Sequence, residues 1–246
     1  MSESHDAPRD AYKFPNRVKN PFRVARALWR VTKDLSRTED AAIVQIAFAQ
    51  SRRFARFAQW DKVAERLSDD PRIRSVLEDR PRLGWIDTAA LSALAEDTFG
   101  RTFADHLASK GFSPNLVEPL PANDPGSYVL AHFGETHDIW HLVTGYGMDE
   151  VGEVSLIGFY CAQFEQAPHF ALLLGILFLN TAFSKPADFR KRMEALSIGW
   201  ETGKSAESLF GRDWASQWDK PLSDIRESLG LNKEPAVIGE GIQSAA

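Results

Sequence analysis

The stretch Glu135-Thr136-His137-Asp138-Ile139-Trp140-His141, followed by Gly145-Tyr146-Gly147 and a second run from Asp149 to Leu156, constrains the fold of this chain more than any other. A helix over about residues 125–144 puts His137 and His141 at i and i+4, on one face and one turn apart. Asp138 follows His137 by about 100° around the axis, on the flank of the same face. Gly145 and Gly147 both tolerate positive φ, and the pattern resumes at Asp149 as a second helix. The chain therefore reverses. At about 1.5 Å rise per residue, His141 lies roughly 8 Å before the middle of the turn and Glu153 roughly 10 Å after it. In an antiparallel pair this sets a carboxylate opposite two imidazoles.

Such ligands suit zinc, iron or manganese, and two histidines with one or two carboxylates leave a position free for water or substrate. The competing reading is a buried, hydrogen-bonded histidine pair, because short motifs also match by chance. The residues alone leave both open. A zincin peptidase is disfavoured: there the residue after the first histidine is a glutamate acting as general base, and here it is the shorter Asp138. Trp140 points away from the ligand arc and reads as core. His5, His106 and His132 receive no role, and His169 reads as a helix-cap or supporting residue with no link to the metal.

The rest of the chain reads as helices. No run alternates cleanly enough for a strand. With 246 residues, 43% of them hydrophobic, the chain can fill one core. The expectation is an all-α, single multi-helix domain over residues 17–231 between flexible tails at 1–16 and 232–246. The net charge of -5 argues against a nucleic-acid partner, and the single Cys161, a small core residue by position, excludes an internal disulfide. Glu3, Asp6 and Asp10 do not fit a mitochondrial presequence or a signal peptide. Ser36-Arg37-Thr38-Glu39 has the form of a capping box opening a helix to about Leu67, through Phe54 and Phe57. Asp70-Pro71 and Asp87 start two more, Gly100 and Gly111 read as stops, Asp124-Pro125 opens the metal helix, and Lys185-Pro186 opens another. A last helix is expected over Asp213 to Leu229.

Two segments carry further alternatives. Between Lys13 and Arg37, eight cations face Asp34 alone. On a helix Arg23, Arg26, Arg30, Lys33 and Arg37 form one stripe, with Val24, Leu28, Val31 and Leu35 nearly opposite. That helix either lies on an anionic membrane, through Arg23, Arg26, Arg30 and Lys33, or covers the protein's own core. The run from His169 to Asn180 is apolar nearly all round and too short for the roughly 20 residues a bilayer requires. It is either a helix buried on every side or one wall of an apolar slot formed by Leu172, Leu173, Leu177 and Phe178.

His-Asp-x-x-His, eleven residues, then Glu resembles the signature of the coenzyme Q (ubiquinone) biosynthesis protein family, member four, and His137, Asp138, His141 and Glu153 match its four positions. Tyr128 through Gln163 is similar to the family's central block. The tail from Trp200, Glu201 and Gly203 through Trp218, Pro221-Leu222, Arg226 and Leu229-Gly230 resembles its end, and Thr98-Phe99-Gly100 agrees more loosely. The resemblance implies metal ligation by His137, His141 and Glu153, with Asp138 as a fourth ligand or as the catalytic base. It favours zinc, with Fe2+ as the alternative suited to oxidative chemistry. It also favours the membrane and lipid-slot readings. The implied activity is oxidative decarboxylation at ring C1 of a polyprenyl hydroxybenzoate-derived precursor. The alternative is a prenyl-lipid-binding scaffold without turnover, and a metal hydrolase acting on a lipid head group is a third. The expected partners are that polyprenylated aromatic quinone precursor, the membrane surface, other quinone biosynthesis enzymes and, as a homodimer, a second copy. The expected location is peripheral on the cytoplasmic face of the inner membrane, or cytoplasmic.

Overall fold

Side-chain oxygens meet helix amides where the sequence places Asp before an apolar run. In the computed structural model, which describes residues 18–33, 38–50, 59–164 and 167–231, Asp70 accepts from Arg72 N, Asp87 from Ala89 N and Ala90 N, and Asp124 from Ser127 N. Among the described residues the helices are α1 (Pro21–Lys33), α2 (Thr38–Gln50), α3 (Trp60–Leu67), α4 (Pro71–Asp79), α5 (Thr88–Ser92), α6 (Phe99–Lys110), α7 (Pro125–Thr144), α8 (Glu150–Gln163), α9 (Pro168–Ser184), α10 (Phe189–Ser205) and α11 (Leu222–Ser228). Among the described residues there is no strand; Thr98 and Pro221 form an isolated antiparallel bridge. The all-α, single-domain expectation holds. Both expected tails, and Ser36, Phe54 and Phe57, lie outside the described residues.

Several boundaries differ from expectation. The helix expected to run to Leu67 is described as α2 and α3, and Gln59, with φ 52, stands left-handed at the start of α3. Gly100 is not a stop but the second residue of α6. It is glycine because a Cβ there would meet Trp218 O at 2.9 Å and Leu94 Cδ1 at 2.7 Å. Gly111, at φ 67, does end α6. The expected last helix resolves into a 3-10 turn at Ala215–Gln217 and the short α11, because Pro221 fixes a new start.

The main core gathers Trp140, Tyr128, Tyr160, Phe99, Phe103, Phe159, Phe170 and Trp214 from α6 to α9 and the C-terminal segment. Helices α8 and α10 pack backbone to backbone: a Cβ on Gly199 would lie 1.9 Å from Ser155 O, and one on Gly158 2.7 Å from Leu196 O. A smaller cluster of Ala27, Ile43 and Val44 joins α1 to α2, with Val24 and Leu28 packed on it. Thus the apolar side of α1 covers the protein itself.

Candidate metal centre

Helix α7 spans the expected residues because Asp124 caps it, Pro125 fits its first turn, and Gly145, at φ 76, ends it with its N–H bonded to His141 O. Helix α8 starts where Asp149 accepts from Gly152 N at 2.8 Å. Between them the backbones touch, since a Cβ on Gly152 would sit 1.8 Å from Gly147 O. This contact fixes the register of Glu153 against α7.

In that register three ligand atoms converge. His141 Nε2 lies 3.2 Å from His137 Nε2 and 3.1 Å from Glu153 Oε1. His137 Nε2 lies 3.6 Å from Glu153 Oε1. Two ligands bound tetrahedrally at about 2.0–2.1 Å stand about 3.3–3.4 Å apart. The three edges therefore match one face of a tetrahedron with its fourth corner free. The His141 side chain is 0% exposed, whereas those of His137 and Glu153 are 28% and 29% exposed, so the face borders solvent on one side.

Electrostatics follow from this packing. Burial works against the charged Glu153, but the imidazoles of His141 and His137 beside it hold its carboxyl well below the usual carboxylate range. Burial likewise opposes a charge on His137, and the carboxylate of Glu153 outweighs it and moves that imidazole up. Asp138 is pushed up by burial, against the pull of both imidazoles and with the push of Glu153. It is not among the ligand atoms that lie within 4.8 Å of one another, which come from His137, His141 and Glu153.

The outer nitrogens are held too. His141 Nδ1 faces Tyr146 O at 3.2 Å, a carbonyl that only accepts, so Nδ1 donates there and, in the neutral ring, Nε2 is left with its lone pair for a cation. His137 Nδ1 lies 3.0 Å from the Tyr160 hydroxyl. Burial, with the charges of Glu153 and Asp138, holds the Tyr160 phenol well above its ordinary pKa. Tyr160 escaped the sequence reading, although it lies seven residues, two turns, beyond Glu153 on the same face.

Surrounding locks fix both helices. Glu135 pairs with Arg82 and accepts from Leu83 N at 3.1 Å. The carboxylate of Glu150, one turn before Glu153, is shared by buried Arg192 and by Lys185 at 2.9 Å. Arg192 also donates to Leu177 O and Thr181 Oγ1 of α9, each at 2.8 Å. His132, given no role from the sequence, is buried between the Tyr128 hydroxyl at 3.3 Å and Gly211 N at 3.3 Å.

Of the slot residues, Leu177 is buried, Leu173 packs against the main core, Leu172 is half-buried, and Phe178 meets Phe189 edge-on at 6.4 Å. Helix α9 is not buried on every side: Ala171, Gly175, Leu179 and Phe183 form an exposed apolar stripe. On α1, Arg23 and Arg26 are exposed, Arg30 reaches Asp40 at 4.0 Å, and the Lys33 ammonium lies 5.3 Å over the Phe183 ring. No helix among the described residues is long and apolar enough to cross a membrane.

The family model for coenzyme Q (ubiquinone) biosynthesis protein Coq4 matches residues 35–235. The mitochondrial ubiquinone biosynthesis protein coq4 of Aspergillus niger is 28% identical over 180 residues, 71% of this chain and 60% of the relative. That of Botryotinia fuckeliana is 29% identical over 178 residues, 70% of this chain and 61% of the relative. The chain thus spans about three fifths of the length of the curated relatives it matches. A crystal structure from Nostoc punctiforme PCC 73102, of a protein assigned to ubiquinone biosynthesis, superposes with a TM-score of 0.69 at 23% identity, covering 88% of this chain and 100% of that one, and shares its fold.

Proposed function

This chain belongs to the coenzyme Q (ubiquinone) biosynthesis protein Coq4 family, and on that premise we propose that it serves ubiquinone biosynthesis as a metal-dependent oxidative decarboxylase acting at ring C1 of a polyprenyl hydroxybenzoate-derived precursor. The observation that supports this reading is the triangle of His137 Nε2, His141 Nε2 and Glu153 Oε1, with edges of 3.2, 3.1 and 3.6 Å. In it His137, His141 and Glu153 hold a divalent cation, zinc or iron. A cation so held supplies Lewis acidity toward a ring oxygen or carboxylate. Asp138, at the flank with its carboxyl pushed up by burial, takes or returns a proton beside the substrate, or becomes a fourth ligand. The ring carboxylate leaves as carbon dioxide and a hydroxyl from water replaces it, the two electrons released passing with protons to dioxygen, which leaves as hydrogen peroxide. Leu172, Leu173, Leu177 and Phe178 line the path of the prenyl chain.

The same reading places the protein against an anionic membrane surface. Because Val24, Leu28 and Val31 are taken up in packing, contact falls to Phe22 and Trp29, 84% and 64% exposed, among the cations Arg23, Arg26, Arg30 and Lys33. A second reading, a prenyl-lipid-binding scaffold that organises other quinone enzymes without turnover, is favoured by the exposed Leu179, Phe183, Phe189 and Met193, which offer a partner surface.

Metal analysis of protein purified without chelators, coupled to an assay on a carboxylated prenyl phenol under air, tests the enzyme. The expected result is release of carbon dioxide, lowered about 100-fold or more in Asp138→Asn at unchanged metal content. A fully metal-loaded protein with no turnover, or undiminished turnover in Asp138→Asn, rejects it. Under the scaffold reading, loss of quinone tracks loss of partner binding instead.

A further inference from the structure

The two histidines are held by different kinds of group. His141 Nδ1 meets a backbone carbonyl, Tyr146 O, whereas His137 Nδ1 meets a side chain, the Tyr160 hydroxyl at 3.0 Å. The Tyr160 ring cannot swing away. It stacks on Phe170 at 5.2 Å and 22°, and lies 4.2 Å from Phe133 and 4.9 Å from Trp140, with 1% of the residue exposed. The imidazole of His137 has no such wall: its side chain is 28% exposed and borders the solvent side of the triangle. Its aim therefore depends on what holds Nδ1.

We infer that Tyr160 is a positioning residue of the metal centre, whose hydroxyl accepts the Nδ1–H of His137 and so aims His137 Nε2, with its lone pair, at the cation. The inference rests on the proposed metal-binding reading. A neutral imidazole that gives Nε2 to a cation carries its proton on Nδ1, and a partner for that N–H fixes both tautomer and ring orientation. The fixed carbonyl of Tyr146 does this for His141 whatever the side chain at 146. For His137 the task falls to a removable oxygen. Tyr160→Phe deletes that oxygen and keeps the ring among Phe133, Trp140 and Phe170.

The test measures Zn2+ affinity of the full chain by competition with a chromophoric chelator, and the visible absorption of its Co2+ form. Wild type, Tyr160→Phe, Tyr146→Phe and His141→Ala are compared. Tyr160→Phe is expected to weaken Zn2+ binding about 10- to 100-fold and to shift the Co2+ bands, while Tyr146→Phe, whose carbonyl is retained, leaves both unchanged. If wild type and His141→Ala bind Zn2+ equally, the metal reading fails and takes this inference with it. If His141→Ala loses Zn2+ but Tyr160→Phe matches wild type in affinity and spectrum, the role of Tyr160 alone is overturned. Should Tyr160→Phe not fold, the His137 Nδ1–H signal of zinc-loaded wild type decides by nuclear magnetic resonance. A slowly exchanging proton supports the contact, and one exchanging as fast as solvent-exposed imidazole overturns it.

Discussion

Gly152 and Gly134 flank the metal centre on successive helices and are glycine under opposite constraints. At Gly152 the space for a Cβ is filled by Gly147 O at 1.8 Å, backbone that yields only if the turn opens. Gly152→Ala is expected to cost about 3 kcal/mol, at the upper end of what overpacking costs, and to move Glu153 off the two imidazoles. Urea unfolding should show the lost stability, and Zn2+ titration the lost site. Gly134 is exposed in mid-helix with nothing within 4 Å of a Cβ. There alanine removes backbone freedom from the unfolded chain and should stabilise by about 0.5–1 kcal/mol. A stabilised Gly152→Ala, or a destabilised Gly134→Ala, would show that these contacts are not what set the two positions.

Helix α7 ends in a turn whose carbonyls are met from a distance in sequence. Arg226 of α11 donates through Nε to Val143 O at 3.1 Å and through its terminal amine to Leu142 O at 2.8 Å, placing a cation at the negative end of the helix. Burial lowers the pKa of that guanidinium. Arg226→Met keeps most of the volume and leaves the carbonyls without their donor, so it should cost about 2 kcal/mol; an unchanged urea midpoint would contradict this. The sequence marked Arg226 only as part of a similar tail, because a long-range cap leaves no local pattern. The ends of α7 were legible because Asp124-Pro125 and Gly145 act within their own turns. Gly100 was misread for the complementary reason: its small size answers Trp218, more than a hundred residues away. Convergence of His137, His141 and Glu153 could be read from spacing, since one short turn joins their helices. Tyr160 was equally accessible by spacing, but a tyrosine among apolar residues reads first as core, and here it is both.

Across the whole molecule, the histidines outside the metal centre set an acid limit on stability. Burial pushes His106, His132 and His169 each down to about 4 from the ordinary 6.5. The unfolded chain takes up these protons as pH falls below about 6.5, while the folded chain refuses them until about 4. The unfolded state then binds more protons, so stability rises with pH across this window. The contribution is complete above about 6.5, is lost progressively toward 4, and changes no further below it. Each histidine adds at most about 1.4 kcal/mol per pH unit to the slope. In metal-free protein His137 and Asp138 act oppositely, because their raised pKa values give stability that is present at low pH and lost as pH rises. Two such groups do not offset three, and the depressed carboxyl of Glu153 adds to the acid loss only as pH falls below about 4.5. Chelator-treated protein should therefore lose stability steadily from pH 7 to pH 5 in urea titrations. His132→Gln, in which the amide replaces the ring between Tyr128 and Gly211, should start less stable at pH 7 and show a shallower decline. A wild-type stability that is level or higher at pH 5 would mean that these imidazoles accept protons in place, and that for His132 and His169 the core around Trp60, Phe170 and Phe210 opens to admit them.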